Sequence, residues 1–109
     1  MADVNIEQEL QRLSVAERRV LAFSACGYSK EQTARYLSVG VETVKSQRQA
    51  ILSKLRARKM THAISIGFLQ GELSQERIKR VEHYVEMFER RAEINLRVRE
   101  ERAALAGQR

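Results

Sequence analysis

The sequence has no proline and only five glycines in 109 residues. A turn-rich β-fold relies on both as punctuation, so their scarcity favours helices. One cysteine, Cys26, allows no internal disulfide and points to a reducing compartment, the cytoplasm. It sits in the apolar stretch LAFSACG, where a buried, inert thiol is the expected state. No run approaches the ~20 apolar residues of a membrane span, and the N-terminus lacks the apolar core of a signal peptide. Catalytic parts are equally scarce. His62 and His83 lie far apart, and neither has a Cys, Asp or His at ligand spacing, so no metal or other cofactor is expected. With no glycine-rich phosphate loop and no nucleophile–base pairing, an enzyme is not the expected reading.

What the chain does have is helical periodicity and unevenly placed charge. Hydrophobic residues make up 43%, enough for a globular core. The formal net charge is +6. Residues 1–13 carry one basic and three acidic groups, residues 14–60 ten and three, and residues 61–109 nine and eight. The excess therefore lies in the middle block, which suits either a polyanion or a solvated surface.

Ile6, Leu10 and Leu13 predict a short amphipathic N-terminal helix over residues 3–12. In SVAE, Ser14 and Glu17 have the spacing of a capping box that starts a helix, and Gly27 can end it in the left-handed conformation. SKEQ repeats the pattern with Ser29 and Gln32, opening a short helix to about Leu37 with Ala34 and Leu37 inward. After the break SVG (38–40), the stretch VETVKSQRQAILSKLRARK begins a longer helix. Val44, Arg48, Ile51 and Leu55 mark its core stripe, with one polar interruption. Glu42, Lys45, Ser46, Gln49, Ser53 and Arg56 mark the opposite face. A short helix, a glycine-bearing turn and a helix with a polar, basic face make a helix-turn-helix pattern. A fourth helix is expected from about Thr61 to Glu72, with Ala63, Ile64, Ile66, Gly67 and Phe68 as its small and apolar positions. From Ser74 to about Ala106 one long, highly charged helix follows, with Glu76–Arg80, Glu86–Arg90 and Glu93–Arg97 as i,i+4 pairs.

These residues resemble the LuxR-type helix-turn-helix domain of bacterial transcription factors, from about Leu13 to Leu73. The matching points are Ser14, Glu17, Val20, Leu21, Gly27, Ser29, Ala34 and Leu37, then TVK (43–45), I-L-x-K-L (51–55), Thr61 and Ala63. Three positions depart from the family pattern: Gly40 stands for the usual capping serine, Gln47 for a histidine and Arg48 for an aliphatic residue. Region 4 of bacterial sigma factors is similar over the same stretch, but the Thr61–Leu73 helix with its MTHAI entry favours the LuxR-type reading. The resemblance implies a four-helix DNA-binding domain (14–73), to which the periodicity adds a short N-terminal helix (1–13) and a long charged C-terminal helix (74–109), an all-α fold throughout.

It also implies a double-stranded DNA partner, read by helix 41–56 in the major groove. There Thr43 and Lys45 face the backbone, while Glu42, Ser46 and Gln49 are the candidates for base edges. Lys54, Arg56, Arg58 and Lys59, late in the helix or just beyond it, suit phosphates. So do Ser29 and Lys30, at the N-terminus of the preceding helix. The stem of Arg48 can pack while its head reaches solvent or phosphate. Val44 is a core position whose methyls could also meet a thymine.

Ile78, Val81, Val85, Phe88 and Ala92 follow heptad spacing and could line the seam of a homodimer. The alternative is that this stripe folds back on the chain's own domain. A second functional reading, of a different class, is an adaptor that binds RNA polymerase or another regulator through the arm.

Overall fold

The computed structural model describes residues 12–107. The helix expected at residues 3–12 lies, apart from Arg12, outside them. The described residues form five helices: α1 (Val15–Ala25), α2 (Lys30–Leu37), α3 (Val41–Leu55), α4 (Met60–Leu69) and α5 (Gln75–Gly107).

Local chemistry sets the boundaries. The Ser14 hydroxyl accepts from the Glu17 amide at 3.1 Å, and the Glu17 carboxylate accepts from the Ser14 amide at 2.8 Å. Ser29 and Gln32 repeat this reciprocal cap at 3.1 and 2.9 Å. Each pair satisfies two amides that the first turn of a helix leaves without a carbonyl. Gly27 ends α1 with φ +89°. At the next corner the left-handed residue is Ser38, at φ 56°, and not the glycine. Gly40 is extended and caps α3 without any side-chain acceptor. α4 covers its apolar positions but ends at Leu69, short of the expected Glu72. Gly71 turns left-handed there, and the amides of Glu72 and Leu73 both donate to the Gly67 carbonyl, at 2.8 and 3.0 Å. Of the small and apolar positions of α4, Ala63 and Gly67 are buried, Ile64 and Ile66 are half-buried, and Phe68 is 47% exposed.

Val20, Leu21 and Phe23 of α1, Val44, Ile51 and Leu55 of α3 and Ala63 of α4 make a shared core. Gly67 lets α4 come close to it, because a Cβ there would lie 2.9 Å from the Leu21 Cδ2.

α5 is about 50 Å long, and with it the molecule measures 80 × 27 × 19 Å. Its first half packs on the domain. Val81 is buried, and Ile78, Val85 and Phe88 lie half-buried against the same core. Four of the five residues with seam spacing thus have contacts within the chain itself, and Ala92 is exposed. An aromatic cluster of Phe23, Tyr28, Tyr36, Tyr84 and Phe88 binds α5 to α1 and α2. The Tyr84 hydroxyl donates to the Tyr36 carbonyl at 2.7 Å, and the Tyr36 hydroxyl donates to Glu89 at 2.9 Å. That bond to the Glu89 carboxylate, with burial, raises the Tyr36 pKa. The three expected i,i+4 pairs form at 2.9, 2.8 and 3.1 Å.

Candidate nucleic-acid interface

A helix can present a reading face only if its opposite face is anchored. Val44, Ile51 and Leu55 bury one side of α3 completely or nearly so. Steps of three, four, seven and eleven residues from Glu42 place Lys45, Ser46, Gln49 and Ser53 on the other side, and all five are exposed. Thr43 and Arg56 are exposed beside them. Glu42 and Lys45 approach to 3.6 Å, an exposed pair that leaves both heads open to an outside partner.

The two helices of the motif meet along a shallow groove. Lys30 of α2 lines it together with Glu42, Lys45, Ser46, Arg48 and Gln49 of α3. Two residues that the sequence reading did not assign, Leu52 and Met60, complete its wall. Their signal was weak: Leu52 lies one step past Gln49 on the helix, and Met60 opens α4. Ser29 stands at the groove's end of α2, where its oxygen caps the helix and its hydroxyl hydrogen remains available to donate.

Arg48 and Lys54 direct their heads to partners on other segments of the chain. One Arg48 N–H donates to the Tyr28 carbonyl at 3.2 Å, tying α3 to the loop before α2. Its Nε is buried without a partner, so the head lies inside the protein as much as in the groove. Lys54 is turned away from the α3 face, and its ammonium lies 2.8 Å from the Glu17 carboxylate. Burial pushes the Glu17 carboxyl up, but its bonds to Lys54 and Ser14 outweigh that and hold its pKa below the ordinary value. Arg56 adopts φ 54° at the C-terminus of α3, and its amide closes the last turn. Arg58 and Lys59 are exposed between α3 and α4. The Arg58 amide donates to His62 Nδ1 at 3.1 Å, which gives that histidine a structural hydrogen bond. Cys26 is half-buried, and burial followed by the Glu82 charge raises its thiol pKa.

The arrangement therefore offers one polar face on α3, extended sideways by Lys30 and Ser29 and lengthwise by Arg56, Arg58 and Lys59. No helix among the described residues is long and apolar enough to cross a membrane. Comparison with curated proteins gave no match. Comparison with protein families matches residues 11–66 to "Bacterial regulatory proteins, luxR family". That match spans a little over half of the chain, covers α1 to α3 and most of α4, and makes the domain a DNA-binding, transcription-regulating one. The chain belongs to the LuxR family of bacterial regulatory proteins.

Proposed function

We propose that the chain is a sequence-specific regulator that reads double-stranded DNA with α3 in the major groove, acting as a dimer on a roughly palindromic site. The observation that carries this reading is the exposed face from Glu42 to Ser53, backed by a fully anchored opposite face and flanked by Lys30. The major groove, about 12 Å wide, accepts such a helix. Glu42, Ser46 and Gln49 meet base edges: Gln49 can pair with adenine through two hydrogen bonds, and Glu42 can accept from cytosine N4. Thr43 and Lys45 hold the backbone on one flank, Ser29 and Lys30 on another, and Arg56 and Arg58 hold it beyond the helix end. Arg48 and Lys54 act mainly by fixing α3, since both heads already have partners in the protein.

DNA selection by the purified chain from a random pool tests this. Enrichment of an inverted repeat supports both the reading face and the dimer, whereas no enrichment at low salt refutes direct recognition.

The exposed distal half of α5 favours a second reading, in which the arm grips RNA polymerase or another regulator. Salt separates the two. Affinity from phosphate contacts falls steeply between low and physiological salt, while an adaptor has little DNA affinity at either.

A further inference from the structure

Beyond Ala92, α5 leaves the domain, and every described residue from Glu93 to Gly107 is exposed. A lone helical segment of that length is marginal in water and depends on packing for its stability. Its large apolar side chains form a pattern. Tyr84, Met87, Ile94, Val98 and Leu105 are each between 39% and 65% exposed. With Arg91 and Glu101 in the two remaining places, they recur in alternating steps of three and four residues, the spacing of a heptad seam. This stripe is turned about a third of a revolution from the docked one of Ile78, Val81, Val85 and Phe88. Leu96 lies outside it.

The two charged residues select the direction of pairing. In a parallel pair each seam residue meets its own copy, so Arg91 faces Arg91 and Glu101 faces Glu101. In an antiparallel pair centred near Leu96, Arg91 faces the partner's Glu101, and Glu101 faces the partner's Arg91. The same register sets Ile94 against the partner's Val98 and Met87 against the partner's Leu105. Like charges within a seam disfavour the parallel form, and the exchanged pairs favour the antiparallel one. Within its own chain, neither Arg91 nor Glu101 has a side-chain partner among the described residues.

We infer that the distal half of α5 pairs antiparallel with a second copy of the chain, the Arg91–Glu101 exchange fixing direction and register. This deepens the dimeric part of the function proposed above and rests on it. The groove beside Met87, lined also by Ser38, Phe88 and Asn95, receives the partner's Leu105. Arg97 meets its own copy near the centre, where Glu93, 3.1 Å away in the same chain, offsets the like charge. In this register the two Val81 anchors stand roughly 45 Å apart along the arm, with a domain at each end. That is wider than one turn of B-DNA, about 34 Å, so the half-sites are expected to lie more than one turn apart.

Sedimentation velocity of the full chain over a concentration series tests the register, with circular dichroism reporting the fold. The wild type is expected to dimerise. Arg91→Glu and Glu101→Arg alone each place like charges in the antiparallel seam and should raise the dimer dissociation constant about 10- to 100-fold. The double variant Arg91→Glu/Glu101→Arg restores both pairs and should return to within about threefold of wild type. In a parallel seam the double variant still stacks like charges and recovers nothing. A double variant no better than the singles, or singles that dimerise like wild type, overturns the register while the dimer stands. A chain that is monomeric at every concentration overturns the dimer itself.

Discussion

Glu17→Gln probes how α3 is held in place. The substitution keeps an oxygen to accept from the Ser14 amide and removes only the charge facing Lys54. Removing one partner of a fully buried pair costs about 3–5 kcal/mol. Here the Lys54 side chain keeps 26% exposure and that of Glu17 keeps 12%, so the ammonium can turn towards water. The expected loss is accordingly about 1–2 kcal/mol at neutral pH. The sign of the pH dependence follows from the lowered carboxyl pKa. The unfolded chain binds that proton near 4.5 and the folded chain only at lower pH, so the stabilisation is complete above 4.5 and is lost as pH falls through the folded value. The Gln variant has nothing to titrate at this position, so its stability gap from wild type should close in acid. Urea unfolding at neutral pH and at about pH 3 measures the gap, and Lys54→Met with the double variant completes a cycle. A gap of equal size at both pH values, or a coupling below about 0.3 kcal/mol, would refute the assignment.

Lys45→Ala should weaken binding to all DNA sequences alike and lower the salt slope by about 1, measured by titration at several salt concentrations. Gln49→Ala should relax preference at one base position per half-site, costing about 1–3 kcal/mol there, and an unchanged selected motif removes Gln49 from the reading set. Val81→Ala deletes buried methyl groups where α5 docks and should cost about 2 kcal/mol of unfolding free energy, with a cost near zero showing that the arm is not part of the core.

The helix starts were legible because capping is local chemistry: Ser14 with Glu17 and Ser29 with Gln32 carry their own geometry three residues apart. The core stripe of α3 was legible for the same reason, since helical spacing alone lines up Val44, Ile51 and Leu55. Contacts between distant segments were not. Nothing near Lys54 in the sequence points to Glu17, and nothing near Arg48 points to the Tyr28 carbonyl, so both look like free cations until the helices are packed. The end of α4 falls before the expected Glu72 because Gly71 turns left-handed, a backbone state that apolar spacing does not report. The arm showed its heptad spacing openly. Which partner meets Ile78, Val81, Val85 and Phe88 depends on the aromatic cluster, whose members lie on three helices and in the turn between α1 and α2.

Tyr36 is both donor and acceptor to α5: its hydroxyl goes to Glu89 and its carbonyl takes the Tyr84 hydroxyl. That carbonyl belongs to the last turn of α2, where no amide of its own helix can reach it. A helix as stiff as α5 cannot tilt about this junction without breaking both bonds or moving α2 with it. Because α2 carries Ser29 and Lys30 at its other end, these two bonds link the arm to the helix that seats both residues. A load on the far tip of α5 is therefore expected to reach α2 through Tyr36 as well as α1 through the docked Val81.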